Sequence, residues 1–445
     1  MDKQDVKALC DRILAFSGAD EAEVIYHEVA SALTRFAKNQ IEQNVAEVVA
    51  DVSFRGIWGK KIARVTTSKF DDDSLRRLVQ TAEEVAKVQR DMPDLLPLPD
   101  TQEYQTVDHF CETTAGYSPE ARAKMVADHI VPVKAKGLTA AGMFKTGFQA
   151  IAVVNSKGLS AYDRFSEASF STQTMGDKGA GVAAKSTPRV AEVDIQALTA
   201  TAIEKCVASE DPQPLEPGEY TVILEPSAAS NLLMFTGGLG FSGLAHIEGR
   251  TPFVGKIGEK IFGENITIED NAYHEITGGV PFDFEGLPRQ RVVLVENGVL
   301  KTVLHDRQTA QKMDTETTGH SLPQPNASGP WPFNLLLHPG DQSPEEILKS
   351  TKRGILVTQF HYTNIVNPME LSLTGMTRNG TFMIEDGKIT HAVKNMRFTE
   401  SVIKAFSNVT AIGNDLTLAT SMFGGGYLVP TLRVENFTFS SATDF

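Results

Sequence analysis

The chain has 445 residues, and 42 Lys and Arg residues against 56 Asp and Glu residues give it a net charge of −14. This length exceeds what one hydrophobic core usually organises, so we expect two or three domains. No stretch gathers five or more basic residues into a patch that could follow a phosphate backbone, so we expect no nucleic-acid partner.

The three cysteines, Cys10, Cys111 and Cys206, lie far apart in the sequence. Their odd number and wide spacing favour a reducing compartment and argue against a disulfide framework or a zinc ribbon. The first residues lack the basic and apolar segments of a secretory signal, and no apolar run approaches the roughly 20 residues that a membrane span needs. We therefore expect a cytoplasmic protein with no membrane contact.

The first part of the chain is predicted to mix helices and strands. Apolar residues at helical spacing predict a helix over residues 4–17, and Asp71 is predicted to begin a second helix that reaches about Gln89. Between these helices lie four β-rich runs, which we interpret as an antiparallel meander. The runs are Glu23–Tyr26, Ala32–Phe36, Val45–Phe54 and Lys61–Thr67.

A second α and β section follows residues 91–117, whose three prolines and sparse apolar periodicity predict a connecting segment. Helices are predicted over Pro119–Val131 and Asp194–Ser209. Between them alternation predicts the strands Met143–Phe148, Ala150–Asn155, Leu159–Phe165 and Ala168–Thr174, with a tight turn at Asn155–Gly158.

Residues 211–218 contain three prolines and a glycine, so this segment is predicted to be the linker between two domains. Beyond it, Asn297-Gly298 and Asp386-Gly387 predict β-hairpins. The predicted fold class is therefore α+β: an N-terminal domain with an antiparallel or mixed sheet, and a largely antiparallel, barrel-like β domain. The predicted segments are 1–90 and 118–210 for the two parts of the first domain, 91–117 between them, and 219–445 for the second domain.

No catalytic pattern emerges from the residues alone. A helical zinc-protease motif needs a His-Glu pair with a second His four or five positions after the first, but His27-Glu28 and His274-Glu275 have only Ser, Ala or Gly there. The segment Gly238–Gly243 matches a dinucleotide-binding glycine pattern, yet it follows a predicted helix instead of a strand. We predict neither a catalytic residue nor a metal site in this chain.

A series of short blocks, in order, resembles the PmbA/TldD family, also called modulators of DNA gyrase. In the first domain these are Ala22-Glu23-Val24, Thr34-Arg35-Phe36, Asn39–Glu42 and Asn155–Gly158. In the second they are Pro281–Gly286, Val295–Leu300, Thr317–His320, Ile384–Ile389 and Ile412–Asp415. The resemblance covers nearly the whole chain.

In the zinc-bearing branch of that family, a His-Glu-x-x-x-His helix and a later Cys hold the metal. Here the corresponding positions would be Met234, Phe235 and Leu239, with Phe423 near the place of the cysteine. Thioether, phenyl and alkyl groups do not replace imidazole and thiolate as zinc ligands. The chain thus resembles the metal-free PmbA (TldE) branch.

This resemblance implies a non-catalytic subunit of a TldD/TldE-type heterodimeric metalloprotease that acts on unfolded or precursor peptides, with zinc in the partner subunit. His246, Glu248 and Arg250, just after the vestigial motif, are candidate residues of a peptide cleft. Two alternatives remain open: a homodimeric peptide- or protein-binding scaffold, and an enzyme with repurposed, metal-independent chemistry in the same cleft.

Overall fold

A computed structural model of the chain describes residues 1–420 and 426–443, which form an α+β protein built on three sheets. This architecture confirms the predicted fold class. The helices are α1 (Lys3–Ala15), α2 (Asp72–Val88), α3 (Glu112–Ala115), α4 (Pro119–Ala135), α5 (Ile195–Ala208), α6 (Pro226–Gly240), α7 (Gly243–Ile247), α8 (Arg307–Lys312), α9 (Pro344–Ser350) and α10 (Val402–Ser407).

The first six strands form one fully antiparallel sheet in the order β3-β2-β1-β4-β5-β6. They are β1 (Glu21–Ala37), β2 (Gln40–Trp58), β3 (Lys61–Thr67), β4 (Thr139–Asn155), β5 (Ser160–Met175) and β6 (Ala180–Thr187). The predicted meander β1-β2-β3 and a second meander, β4-β5-β6, are thus joined by pairing between β1 and β4.

The long strands of this sheet replace the shorter runs that the sequence predicts. The segment between Tyr26 and Ala32, which we expected to be a turn, continues β1 without a break and pairs with β2 and β4 on its two sides. It contains no Gly or Pro, so nothing in it stops a strand. Its polar residues alternate between the two faces, so that His27 lines the open face while Glu28 is buried on the helix-covered face, where it accepts a hydrogen bond from Tyr26.

Helices α1, α2, α4 and α5 all cover one face of this sheet. Alternate residues such as Val24, Tyr26 and Phe54 face α1 and α2, whereas Phe36 and Phe144 face α4 and α5. The predicted start of α2 is confirmed, because the side chain of Asp71 accepts a hydrogen bond of 3.0 Å from the amide of Ser74. The opposite face of the sheet is turned toward the second domain.

The second domain contains two sheets packed around α6. Its strands are β7 (Gly218–Leu224), β8 (Ile268–Asp270), β9 (Val292–Glu296), β10 (Val299–Leu300), β11 (Leu335–Leu337), β12 (Arg353–Asn367), β13 (Ser372–Glu385), β14 (Lys388–Ala392), β15 (Met396–Ser401), β16 (Val409–Ile412), β17 (Thr417–Thr420), β18 (Gly426–Val429) and β19 (Leu432–Ala442). The pairings β12-β7-β19-β15-β13 close into a ring because β13 also pairs with β12. The remaining sheet has the order β10-β9-β8-β11-β18-β17.

Both predicted hairpins of this domain are present. Asn297 and Gly298 join β9 to β10 with φ values of 50° and 79°, and Asp386 and Gly387 join β13 to β14 with φ values of 45° and 75°. Positive φ at both central residues is the geometry that Asn-Gly and Asp-Gly pairs favour.

Candidate functional site

A cavity of about 600 Å³ lies between the two domains, where the open face of the first sheet meets loops of the second domain. Along part of β1, β2 and β4, every second residue points into this cavity, for example Ile25, His27 and Asp51. The residues between them point to the other face of the sheet, toward the helices. The lining residues of the sheet wall are Ile25, His27, Asp51, Ser53, Lys145, Gln149, Ile151, Phe165, Ser166, Glu167, Ser186, Thr187 and Pro188.

The sheet wall carries charged groups of both signs. Lys145 on β4 donates to Glu167 on β5 over 2.9 Å, and both side chains remain partly exposed. His27 lies 3.4 Å from the amide oxygen of Gln149 and 4.0 Å from the carboxylate of Asp51. These side chains can hydrogen-bond a polar ligand from one side of the cavity.

The loops of the second domain form the opposite wall. The lining residues there are Thr277, Gly278, Gly279, Val280, Phe282, Asp283, Phe284, Arg289, Pro323, Phe333, Asn334, Leu418 and Gly426. The guanidinium of Arg289 stacks 4.2 Å from the ring centre of Phe333 and donates to the side chain of Asn334 over 2.8 Å. This wall is therefore more apolar than the sheet, and it includes the buried cation Arg289.

A buried network behind this wall fixes the position of Arg289. Asp270 on β8 accepts a hydrogen bond from the amide of Asn334 over 3.0 Å and lies 3.1 Å from His320. Burial acts to raise the pKa of Asp270, but the interactions with His320 and Arg289 outweigh it and lower that pKa. Asp270 is therefore a buried anion that contacts His320 and the Asn334 backbone and attracts the charge of Arg289.

Two further carboxyl groups sit close together beside the cavity. Asp283 accepts hydrogen bonds of 2.9–3.0 Å from the amides of Glu285, Leu287 and Ser321. Burial, and next the charge of Asp283, raises the pKa of Glu285 to about 7. Burial also raises the pKa of Asp283. Glu285 can therefore exchange a proton near neutral pH.

Several polar contacts hold the two domains against each other around the cavity. Within the first sheet, Glu23 is fully buried and pairs with Arg55 over 2.7 Å and with Arg64 over 2.6 Å. Arg64 also donates to the backbone carbonyl of Gln324, and Tyr104 donates to that of Gly286 over 2.7 Å. The sheet wall and the loop wall are thus joined by hydrogen bonds that cross the domain boundary.

Two strand edges meet beside the cavity. Strand β6 is the last strand of the first sheet, β17 is the last strand of its sheet, and Cα atoms of the two approach within 8 Å. Ser186 and Thr187 of β6 and Leu418 of β17 line the cavity. An edge strand offers unpaired backbone groups to an extended peptide.

The residues predicted for a peptide cleft lie away from this cavity. His246 is in α7 and is half-buried, which lowers its pKa. Glu248 and Arg250 follow the helix, are exposed, and pair with each other through a 2.7 Å hydrogen bond from the Arg250 Nε. The structure brings these three residues together, but none of them lines the cavity between the domains. Their role remains a prediction.

The positions of the vestigial zinc motif are filled by packing residues. Met234, Phe235 and Leu239 lie on α6 and are partly buried against the core of the second domain. Phe423 lies outside the described residues. Side chains of this kind, packed into an apolar core, do not fit a zinc ion.

The glycines of α6 have a packing role that explains the dinucleotide-like pattern. Within the pattern, a Cβ atom on Gly238 would lie 3.2 Å from Trp331, and one on Gly240 would lie 2.6 Å from Phe253. These two glycines therefore allow neighbouring aromatic side chains to pack closely against the helix.

Across residues 1–420 and 426–443, no group of three or more His, Cys, Asp or Glu residues is arranged to hold a metal ion. Within the same residues, no helix is long and apolar enough to cross a membrane.

The structure is that of an α+β protein that encloses a cleft, lined by both polar and apolar side chains, between an antiparallel sheet and a β-rich domain. Residues 217–441 match the PmbA/TldA metallopeptidase C-terminal domain, and residues 22–86 match the PmbA/TldA metallopeptidase domain 1. The chain belongs to the PmbA/TldD family, which confirms the resemblance noted from the sequence.

Curated relatives align over part of the chain. A metalloprotease of Methanocaldococcus jannaschii is 29% identical over 221 residues, 49% of each protein, and the TldD homolog of Haemophilus influenzae is 26% identical over 279 residues, 59% of this chain and 54% of the relative. The chain spans about half the length of the curated relatives it matches.

Solved structures align over nearly the whole chain. TldE from Thermococcus kodakarensis has a TM-score of 0.86 at 22% identity and covers 97% of this chain and 99% of its own. A Thermotoga maritima protein described as a modulator of a DNA gyrase has a TM-score of 0.87 at 20% identity, with the same coverage. These similarities show the shared fold.

Sequence reasoning missed most residues of the cavity. His27 was considered only as a metal ligand, and Asp283 and Glu285 entered only as part of a family-like block. The signal for His27 and Asp51 was present in the strand alternation, which places them on the face opposite Val24 and Tyr26. Nothing in the sequence indicated that Lys145 and Glu167 would lie on the same wall.

Proposed function

We propose that this chain is the non-catalytic subunit of a TldD/TldE-type heterodimeric metalloprotease that degrades or processes unfolded or precursor peptides. The observation that supports the proposal is that Met234, Phe235 and Leu239, which the sequence resemblance assigns to the metal-motif positions, lie on α6 and pack against the core. The chain also contains no cysteine after Cys206, so its second domain has no thiolate to offer. Zinc and its chemistry then belong to the partner subunit.

In this proposal the cavity between the domains binds part of the peptide. The edges of β6 and β17 offer backbone groups to an extended chain, and strand addition of this kind is largely independent of peptide sequence. Lys145 and Glu167 would contact side chains or a chain terminus of the peptide. The exposed residues Glu248 and Arg250, with His246, are proposed as a second contact area for the peptide.

The proposal also places the assembly in a reducing cytoplasm. Cys10, Cys111 and Cys206 are all free, and Cys10 and Cys206 are buried.

The experiment compares peptide hydrolysis by the chain alone with hydrolysis by the chain co-expressed with a zinc-bearing relative from the same source. We expect the chain alone to be inert and the pair to cleave a reduced, alkylated polypeptide. Replacing the glutamate of the partner's His-Glu-x-x-x-His motif by glutamine should abolish cleavage, because that residue handles the attacking water in such motifs. Hydrolysis by the chain alone would contradict the proposal.

A matched pair of variants tests whether this chain's cavity contributes to binding. Lys145→Gln should raise KM several-fold with little change in kcat. The substitution removes a contact to the peptide that is equally strong in the bound substrate and in the transition state. Lys124→Gln removes an exposed lysine of α4, which pairs with Asp128 away from the cavity, and should leave KM unchanged. Equal effects of the two substitutions would count against peptide binding in the cavity.

One observation favours a second candidate function, namely metal-independent chemistry in the same cleft. Asp283 lines the cavity, and its neighbour Glu285 has a pKa raised to about 7, which suits an acid or base near neutral pH. Hydrolysis by the chain alone that resists a chelator and is lost in Asp283→Asn would favour this candidate over the first.

A further inference from the structure

Strand β2 has a long edge that no other strand covers. On one side β2 pairs with β1 along its whole length, from Gln40 to Ile57. On its other side β3 pairs only with Val52–Trp58. In the part of the chain that the structure describes, no strand pairs with residues 40–51 of β2 on that side.

This free edge also exposes several apolar side chains to solvent. Every residue from Gln40 to Val49 is exposed, and Val48 and Val49 expose 67% and 53% of their surface. Because neighbouring residues of a strand point to opposite faces, valine is exposed on both faces of the ribbon. Ile41 and Val45 add to the exposed apolar surface.

Most of the devices that protect an edge strand are missing here. Proteins block such edges with charged side chains, especially lysine, and with proline, bulges or short strand length. Residues 40–51 contain no Lys, Arg or Pro, and the one bulge against β1 lies at the tip, so the pairing is regular from Gln43 onward. A regular edge of this length, whose only charged groups are carboxylates, is suited to pairing with another strand of complementary charge.

The charges on the edge select the occupant. Glu42, Glu47 and Asp51 lie on the free segment, with no cation between them. If two copies of this chain paired edge to edge, six carboxylates would line one seam without a basic residue on either strand, and like charges across strands are destabilising. A strand that carries Lys or Arg among apolar residues would complement the edge instead.

We propose that residues 40–51 of β2 dock an extended, basic and apolar segment of a different protein chain. This inference rests on the proposed function, in which that chain is the zinc-bearing subunit. The free edge ends at Asp51, which lines the cavity together with Ser53. A docked strand therefore runs to the mouth of the cavity, and the partner's next residues lie at its entrance.

Hydrogen–deuterium exchange of the chain, alone and in the co-expressed pair, tests the docking. In the free chain the outward-facing amides of residues 40–51 exchange rapidly, and in the pair they slow by at least about tenfold, because a ladder hydrogen bond protects each of them. If the pair forms and cleaves peptide while these amides exchange as fast as in the free chain, the docking proposal is overturned and the proposed function stands. If no pair forms, both are overturned.

A charge-reversal variant provides an independent readout. Glu47→Lys should weaken the pair by about tenfold or more, and Glu84→Lys, which makes the same charge change at an exposed position of α2, should not. Neither side chain is buried, so both variants should keep the melting temperature of the chain. If the chain alone is instead a dimer with protected amides in residues 40–51, the occupant is a second copy and the proposal is wrong.

Discussion

Glu285 is a carboxyl group that the fold holds away from water next to another carboxyl group. Its position follows from the turn at residues 283–287, where Asp283 accepts amide hydrogen bonds and Gly286 adopts a φ of 77°. Arg307 lies 3.7 Å from Glu285 and offsets part of the repulsion. The balance still favours the protonated form of Glu285 well above the usual range for a glutamate.

We predict that Glu285→Gln changes the pH dependence of stability. The pKa of Glu285 is raised from 4.5 to about 7 in the folded protein, so the folded state loses stability as pH rises through this window. Glutamine has no charge to bury. The variant should therefore gain stability relative to the natural chain as pH rises: the difference in unfolding free energy, variant minus natural chain, should be higher at pH 8 than at pH 4.5 by up to about 3 kcal/mol.

Urea unfolding at the two pH values measures this difference. Glu84→Gln, at an exposed position of α2, is the control and should shift stability equally at both. A pH-independent effect of Glu285→Gln would mean that Glu285 is ionised in the folded protein at neutral pH.

The residues of the cavity show how far sequence reasoning reaches at this scale. The lack of zinc ligands at Met234, Phe235 and Leu239 could be stated from residue types alone. The pairing of Lys145 with Glu167 could not, because it depends on the register between β4 and β5, in which Lys145 lies opposite Ser169 and not Glu167. Groups that meet across two domains leave no local pattern in the sequence. An example is the hydrogen bond from the Arg64 side chain to the backbone carbonyl of Gln324.

Among the elements, the hairpin between β9 and β10 depends on a glycine for two separate reasons. Gly298 has a φ of 79°, and a Cβ there would lie 2.4 Å from the carbonyl oxygen of Phe262. The turn is therefore packed directly against the backbone of the loop that precedes β8.

We predict that Gly298→Ala destabilises the protein by about 3 kcal/mol, as the sum of left-handed strain and a backbone clash. Gly59→Ala is the matched control, because Gly59 has a φ of 60° but open space around its Cβ position. It should cost only about 1 kcal/mol. Thermal unfolding of the two variants measures the difference, and equal losses would show that the clash relaxes without cost.

Element type was more predictable than element length. Capping and turn residues correctly predicted the start of α2 and the hairpins at Asn297 and Asp386, because these signals act within a few residues. Strands β1, β4 and β5 were each predicted as two pieces, since their polar residues resemble turns until the sheet pairing on both sides is known. The closed ring of β12-β7-β19-β15-β13 depends on contacts between distant segments, which no local pattern specifies.

At the scale of the whole molecule, the two domains enclose a cavity but provide no zinc ligands at the motif positions. The sheet of the first domain presents a polar wall, the second domain presents an apolar wall around Arg289, and the edges of β6 and β17 lie between them. The free edge of β2 leads from the outer surface to this cavity. Such an arrangement suits a subunit that binds peptide and partner while another chain supplies the metal.

Zinc analysis combined with mass measurement, on the chain alone and on the co-expressed pair, tests this central claim most directly. We predict that the chain alone purifies with no stoichiometric zinc and that the pair is a heterodimer with about one zinc ion, because Met234, Phe235 and Leu239 cannot supply the ligands that a zinc site needs at the proposed motif positions. One zinc ion bound per molecule of the isolated chain would contradict the claim.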